Sequence, residues 1–227
     1  MLKYGKNIIF NPERLHPLNI DRQSLAFIRV GTRVLDIGCA TGFMGNYLKK
    51  KKNCEVVGVE IAKEEADQAR KVLDQVVTGD IEEVSVLNKI EGRFDVILMS
   101  AVVEHLKDPW KTLNNLKRFF TKNGFLIITT SNIAHWSARY KILFGKFEYT
   151  DFGIFDNTHL RFFTTETFPK LVNDSGLRIK QFSIDPVGGG LPKVSLVMSK
   201  IFPNLFAYQM LIKAVPETRK NTNGNSK

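Results

Sequence analysis

The chain has 227 residues, of which 43% are hydrophobic and 25% are charged, with 16 glycines and 8 prolines. This globular composition excludes a disordered, collagen-like or coiled-coil protein and suits one large core. The net charge is +10. Residues 1–120 contain 19 Lys and Arg and 16 Asp and Glu, whereas residues 121–227 contain 14 and 7, so most of the positive excess lies in the second half. This excess permits anionic partners without identifying one.

Strand and helix patterns alternate through the first half of the chain. The predicted strands are residues 33–37, 55–60, 74–78, 94–100 and 124–130. The predicted helices between them are residues 43–52, 63–73, 81–90 and 108–120. Strands separated by helices of this length predict a parallel sheet that is covered by helices on both faces.

The second half of the chain has a different pattern. It predicts a helix over residues 132–144 and an aromatic loop over 146–160. A second helix, over residues 165–174, is capped by Thr164 and stopped by Gly176. The remaining predicted elements are strands over 177–184 and 206–214, separated by a turn-rich segment over 185–192 and a short helix.

Covalent and targeting features are sparse. Cys39 and Cys54 lack metal-site spacing and are too few for a disulfide framework. We find no apolar core of a signal peptide at the start, and the apolar stretch 194–212 contains a lysine and a proline, so we expect no membrane span. We predict a cytoplasmic protein with one domain over residues 1–216 and a polar, flexible tail over 217–227.

A glycine turn after the first strand is the most informative motif. Residues 34–42 read VLDIGCATG, so that a strand ends near Asp36 and a helix begins after Gly42. Gly38 and Gly42 let the backbone approach a ligand where a Cβ would clash. Taken alone, the motif also fits a tight turn in any α/β domain.

Acids follow the next two strands as well. Glu60 ends the second strand, where a carboxylate can accept hydrogen bonds from two ribose hydroxyls; alternatively it is a solvated strand end. Asp80 follows the third strand, where it can accept from an adenine amine or cap a helix. All three acids fall at the carboxyl ends of consecutive strands, which is the edge where open α/β sheets bind ligands.

With these pieces the sequence resembles the class I S-adenosylmethionine-dependent methyltransferases. The matching segments, in the family's order, are VLDIGCATG at 34–42, VVGVE at 56–60, GD at 79–80, FDVILMSAVVEHL at 94–106 and GFLIITTSN at 124–132. Ala40 stands where the family usually has glycine. The resemblance implies an α/β, Rossmann-like sheet of seven strands, mostly parallel, with helices on both faces. Its last strand, predicted at 206–214, would be antiparallel and lie beside the fifth.

The resemblance also implies S-adenosyl-L-methionine as cofactor and assigns its contacts. Asp36, the turn and the end of the fourth strand would surround the methionine part, Glu60 the ribose, and Asp80 the adenine. The full set of predicted cofactor contacts is Asp36, Gly38, Cys39, Ala40, Gly42, Glu60, Ile61, Asp80, Ile81, Ser100 and Ala101. A hydride-transferring Rossmann enzyme is the alternative interpretation of the turn, but no nicotinamide-enzyme catalytic motif is present.

Glu104 and His105 follow the fourth strand, beside the expected methyl group. A neutral histidine can accept a proton near pH 7, so we predict His105 as a base or acceptor contact, with Glu104 and His159 as further catalytic candidates. Alternatively, His105 only orders the cofactor loop. Glu104 could also help to bind a metal, as in some quinone-pathway methyltransferases, although we predict no metal.

The second motif is THLRFFT at 158–164, preceded by Asp156 and Asn157. With SNIAHW at 131–136 and FEYT at 147–150, it resembles a bacterial and archaeal methyltransferase subgroup that often accompanies glycan and cell-surface polysaccharide enzymes. The resemblance implies an acceptor lid over residues 132–163. The predicted acceptor contacts are His135, Asp156, His159 and Arg161, of which the arginine could grip a phosphate or carboxylate. Alternatively, the segment only precedes the next helix, and Asp156 forms a structural ion pair with Arg161.

These motifs predict methyl transfer to an oxygen of a small-molecule or glycan acceptor. The basic second half of the chain would favour an acceptor that is phosphorylated or lipid-linked. An RNA or protein methyltransferase is the first alternative, but residues 100–102 lack the Asn-Pro-Pro-aromatic motif and no RNA-binding domain is appended. The other alternative is a non-catalytic cofactor-binding partner in a glycan-assembly complex.

Overall fold

The computed structural model describes residues 10–188 and 192–217. The strands are β1 (Arg33–Ile37), β2 (Glu55–Glu60), β3 (Gln75–Thr78), β4 (Phe94–Ser100), β5 (Phe120–Ser131), β6 (Leu177–Asp185) and β7 (Gln209–Pro216). The α-helices are α1 (Ile20–Ala26), α2 (Phe43–Lys52), α3 (Lys63–Ala69), α4 (Val84–Leu87), α5 (Pro109–Leu116), α6 (Trp136–Leu143), α7 (Thr167–Asp174), α8 (Pro192–Met198) and α9 (Pro203–Phe206). Short 3-10 helices cover Pro12–Arg14, Val103–His105 and Lys117–Phe119.

The seven strands form one sheet in the order β3-β2-β1-β4-β5-β7-β6. Strands β1 to β5 pair in parallel, whereas β7 is antiparallel to both of its neighbours, β5 and β6. This confirms the predicted fold class, including an antiparallel last strand beside the fifth. The carboxyl ends of β1, β2, β3 and β4 therefore meet at one edge of the sheet.

Helices cover both faces of the sheet because neighbouring residues of each buried strand point to opposite sides. Val34 packs in a cluster with residues of α1 and α2, whereas Leu35 packs in a second cluster with residues of α5 and α7. Both side chains are fully buried. The near-continuous apolar runs of the central strands follow from this two-sided burial.

Several element bounds differ from prediction, each for a local reason. The last strand begins at Gln209 and not at residue 206, because Pro203 starts the short helix α9. Helix α6 begins four residues late, because Asn132 pairs with Phe163 in a bridge and His135 is the N-cap. Strand β5 starts at Phe120, where a helix end was predicted.

The predicted start and stop residues of the helix now called α7 are confirmed. Thr164 Oγ1 accepts from two N–H groups at the start of α7, and Gly176, at φ +71°, follows its end.

Helix α1 was not predicted. Its N-cap Asn19 accepts hydrogen bonds from the N–H groups of Asp21 and Arg22, and its apolar side packs on the sheet. Residues 218–227 of the predicted tail and 189–191 of the turn-rich segment lie outside the described residues. Within the described residues, every helix is too short or too polar to span a bilayer.

Candidate active site at the carboxyl edge of the sheet

The glycine turn folds back onto the neighbouring strand. The N–H groups of Gly38 and Cys39 donate to the carbonyl of Val59, at 2.8 and 3.1 Å. Gly38 has φ +69°, and a Cβ there would lie 2.4 Å from the side chain of Val102, so only glycine fits. Ala40 adopts φ +48°, a left-handed conformation that glycine adopts without strain.

Glu60 links the turn to the end of β2. Its two carboxylate oxygens accept from the backbone N–H groups of Ala40, at 2.8 Å, and Ala62, at 2.9 Å. Each carboxylate oxygen has further lone pairs, so the group can still accept from hydroxyls of a ligand. The next residue, Ile61, is 67% exposed and offers an apolar surface beside it. This arrangement fits a ribose and an adjoining base.

Asp36 carries a buried carboxylate on the other side of the turn. It is 3% exposed, and its Oδ2 atom has no hydrogen-bond partner among the described residues. Burial, aided by the negative charge of Glu60, raises the pKa of Asp36 to about 7. A buried carboxylate without a partner suits a cationic ligand group, and the ammonium of a bound S-adenosylmethionine would supply one. The residues present therefore fit this cofactor.

The end of β4 lies beside this carboxylate. Ala101 has φ +54°, and its N–H donates to Thr129 Oγ1 at 3.0 Å. Ser100 Oγ lies 3.4 Å from a carboxylate oxygen of Asp21, a 1% exposed residue of α1. Sequence reasoning missed Asp21, although Asn19 followed by an acid in the first helical turn was a signal for α1.

The other predicted cofactor contacts have mixed surroundings. Asp80 Oδ1 accepts from the N–H of Glu82 at 2.9 Å. This bond lies in a turn before α4, whose N-cap is Glu83, so Asp80 is not the helix cap weighed as its alternative. Ile81 is 5% exposed and packs in the core, and Cys39 is 3% exposed. An adenine role for Asp80 and Ile81 stays a prediction.

A second group of polar side chains assembles around Glu104. The carbonyl of Glu104 accepts from the N–H groups of Leu160 and Arg161, both at 2.9 Å, and so fixes the THLRFFT segment on the end of β4. This contact brings the rings of His105 and His159 together, with centroids 4.8 Å apart. Three predicted catalytic residues, two of them distant from the third in the chain, therefore lie in one cluster.

Hydrogen bonds define the proton positions on His105. Thr158 Oγ1 lies 2.6 Å from Asp156 Oδ1 and 3.0 Å from His105 Nδ1. Although burial raises the pKa of Asp156, hydrogen bonds from Thr158 hold it below its ordinary value, so the carboxylate accepts the hydroxyl proton. The Thr158 oxygen can then only accept from His105 Nδ1–H, which leaves the lone pair of a neutral ring on Nε2.

His159 and Glu104 face each other within this cluster. His159 Nδ1 lies 3.2 Å from the carbonyl of Ile154, which can only accept, so the ring lone pair is on Nε2, 4.0 Å from Glu104 Oε1. Burial raises the pKa of Glu104, which favours its neutral form beside this ring. The ligand atoms of Glu104, His105 and His159 lie within 4.8 Å of one another, close enough for shared coordination of a divalent cation.

The remaining predicted acceptor contacts differ in accessibility. His135 is fully buried: its Nδ1 accepts from the N–H of Ser137 as the cap of α6, and burial lowers its pKa to about 4. This arrangement does not favour an acceptor role for His135. Arg161 is exposed, donates to the carbonyl of Lys107 and lies over the ring of Trp110. Asp156 is engaged by Thr158, a residue that the motif contained but that was not singled out.

The sequence also matches a family profile described as a methyltransferase domain, over residues 12–181. The chain belongs to the methyltransferase domain family. It is an S-adenosylmethionine-dependent methyltransferase domain, and S-adenosylmethionine is its cofactor. Contacts of Asp36 and Glu60 with that cofactor stay a prediction, which the geometry above fits.

Known relatives agree with this assignment. The ubiquinone biosynthesis O-methyltransferase of Actinobacillus pleuropneumoniae is 28% identical over 127 residues, 52% of this chain and 54% of the relative. The protein of the same name from Coxiella burnetii is 24% identical over 152 residues, 66% of this chain and 64% of the relative. The chain thus spans between half and two thirds of the length of these two curated relatives.

A solved structure shows the same fold. The S-adenosylmethionine-dependent methyltransferase of Thermotoga maritima, described as a possible histamine N-methyltransferase, superposes with a TM-score of 0.61 at 20% identity. The superposition covers 87% of this chain and 88% of that structure. At this identity the likeness concerns the fold alone.

Proposed function

We propose that this chain methylates an oxygen of a small-molecule or glycan acceptor, with His105 as the general base. The hydrogen-bonded series Asp156–Thr158–His105 carries the proposal, because it leaves His105 Nε2 as a proton acceptor at the end of β4. The O-methyltransferase names of the curated relatives support oxygen as the methylated atom.

The proposed chemistry needs little from the protein besides positioning and one proton transfer. When bound, S-adenosylmethionine supplies an electrophilic methyl group on a sulfonium. His105 Nε2 would take the hydroxyl proton of the acceptor as that oxygen accepts the methyl group, for which the sulfonium would supply a thioether leaving group. The ionised Asp156 then stabilises the imidazolium through Thr158.

The acceptor would enter between the end of β4 and the segment over residues 132–163, which we propose is the acceptor lid of a domain over residues 1–216. Phe162 lies at this entrance, with its ring centroid 6.2 Å from that of His159. Exposed Arg161 is available for a phosphate or carboxylate on the acceptor. The THLRFFT resemblance supports a glycan-related acceptor.

An acceptor screen combined with variants tests this proposal. Release of S-adenosylhomocysteine is measured with phenols, free sugars, nucleotide sugars and RNA as acceptors. On the best acceptor, His105→Ala should lower kcat by about 10²-fold or more, with little change in cofactor affinity measured by calorimetry. Turnover on RNA alone, or loss of cofactor affinity in the variant equal to the loss of kcat, would contradict the proposal.

Thr158→Val isolates the positioning of His105. The change removes the hydroxyl at nearly constant volume, so kcat should fall about tenfold or more while KM for the cofactor stays constant. Thr150→Val is the matched control, because the Thr150 hydroxyl donates to the carbonyl of Phe152 within the same lid. Equal effects of both variants would show that the lid, and not the base, was disturbed.

Metal-assisted deprotonation is the second candidate mechanism, because the Glu104 cluster has suitable spacing. Dialysis against a chelator separates the two mechanisms. Unchanged kcat after chelation supports His105 as a base. Loss of turnover that added Mg²⁺ or Zn²⁺ restores would assign the cluster to a cation.

A further inference from the structure

Exposed apolar side chains concentrate in two short segments of the chain. Among the described residues, eighteen large hydrophobic side chains are exposed, and nine of them lie in residues 139–147 and 193–202. Leu143 is 79% exposed and Ile201 is 65% exposed. A protein surface in water rarely concentrates so many in two short segments, which marks a contact surface for a partner.

The two segments adjoin at their bases. The ring of Tyr208, just after α9, lies 5.4 Å from that of His135, which caps α6. The side-chain amide of Asn132 donates to the carbonyls of Asn204 and Ala207, both at 2.8 Å. The residues next to these two segments in the chain are therefore in contact. We call residues 139–147 and 193–202 together the docking face.

Aromatic rings connect the docking face to the candidate active site. The ring of Phe162, beside His159, lies 6.4 Å from that of Phe147, which in turn lies 5.5 Å from Tyr149. Because Phe147 belongs to the docking face, the apolar surface is continuous with the entrance of the site.

The charges of the docking face have one sign. Its two segments contain Arg139, Lys141, Lys146, Lys193 and Lys200 and no acidic residue. The nearest acids in the chain, Glu148 and Asp151, belong to the adjoining loop. Exposed aromatic and aliphatic side chains interspersed with five cations match the headgroup region of a membrane that contains anionic lipids.

We propose that the docking face binds the surface of an anionic lipid bilayer. The apolar side chains would enter the headgroup boundary while the five cations contact phosphates. Such binding would place the entrance of the active site at the membrane surface. The proposal does not depend on which acceptor is methylated, because it concerns a surface outside the cofactor and catalytic residues.

Vesicle sedimentation with the whole protein tests the proposal. We expect binding to phosphatidylcholine vesicles that contain about 30% phosphatidylglycerol at about 0.1 M salt, and weak binding to phosphatidylcholine alone. Lys141→Glu with Lys146→Glu should weaken binding about thirtyfold or more. Leu143→Ser with Phe144→Ser should abolish it, and Val84→Ser, an exposed apolar position on α4, should not change it.

Two controls keep the interpretation unambiguous. Each variant must keep the wild-type circular dichroism and cofactor affinity; if the serine pair fails to fold, the glutamate pair alone decides. Absence of binding to the anionic vesicles overturns the proposal, as does binding that the docking-face variants leave unchanged. Dimerisation by analytical ultracentrifugation that the same variants abolish, without vesicle binding, would assign the face to a second copy of the chain.

Discussion

Replacing Asp36 by asparagine should stabilise the cofactor-free protein while it weakens cofactor binding. Asp36 is buried beside Glu60, and its pKa rises from 3.8 to about 7. Below pH 3.8 the carboxyl is neutral in both the folded and the unfolded chain, and its ionisation has no effect on stability. As the pH rises toward 7 the unfolded chain releases the proton first, so the folded state loses stability; the loss is complete above about pH 7.

The magnitude follows from the size of this shift. About three pKa units at about 1.36 kcal/mol each give a cost of about 4 kcal/mol at about pH 8.5 and about 2 kcal/mol at about pH 5. The amide introduced by Asp36→Asn never ionises and avoids both costs. The advantage of this variant over wild type should therefore grow by about 2 kcal/mol between these two pH values, whatever constant offset the amide adds.

Urea unfolding of the cofactor-free proteins at both pH values measures this difference. Asp67→Asn, at an exposed position on α3, is the control and should follow the wild-type profile. In the same preparations, Asp36→Asn should bind S-adenosylmethionine at least about tenfold more weakly, because the ligand ammonium loses its carboxylate partner. A stability advantage of Asp36→Asn that does not change with pH would refute the reasoning.

The same geometry predicts three further outcomes. Cofactor affinity, measured by calorimetry, should rise as the pH passes about 7, because the ammonium favours ionised Asp36; a flat profile would contradict this. Gly38→Ala should lower the free energy of unfolding by about 1–3 kcal/mol and abolish cofactor binding, because the new Cβ meets Val102 at φ +69°; unchanged affinity would contradict it. His135→Asn should reduce the loss of stability at acidic pH. Burial lowers the pKa of His135 from 6.5 to about 4, so the free energy of unfolding of the wild type should fall by up to about 3 kcal/mol as the pH falls from 6.5 to about 4. Urea unfolding over this pH range measures the difference between the two proteins.

The strand-end positions of the candidate cofactor residues were predictable because they depend on local sequence. Asp36, Gly38 and Glu60 each lie at the end of a strand whose apolar run is visible in the sequence, and parallel strands carry their ends to one edge. Helix α1 was missed because it is seven residues long, and short helices have a weak periodic signal. Asp21, which lies in this helix, was missed for the same reason. Its proximity to the end of β4 depends on a contact between residues 79 positions apart.

The contact between His105 and Thr158 in the Glu104 cluster could not be predicted in this way. His105 and Thr158 are 53 residues apart, and no periodicity relates them; the backbone bonds from residues 160 and 161 to Glu104 create the contact. The sequence therefore identified both motifs but not their junction. The junction decides the tautomer of His105, and with it which ring nitrogen can accept a proton.

The charge distribution differs between the half of the chain with the candidate cofactor residues and the half with the proposed lid. The first 120 residues are nearly balanced, because their acids include the buried Asp36, Glu60 and Glu104 at the edge of the sheet. Burying Asp36 beside Glu60 costs stability, which a bound cation at Asp36 would partly offset. The later half has few acids to balance its cations, and five of those cations lie on the docking face. Attraction to the cations near the lid would hold an anionic acceptor or surface there. Charge reversal at Lys141 should therefore weaken the encounter with an anionic surface and leave the cofactor site unchanged.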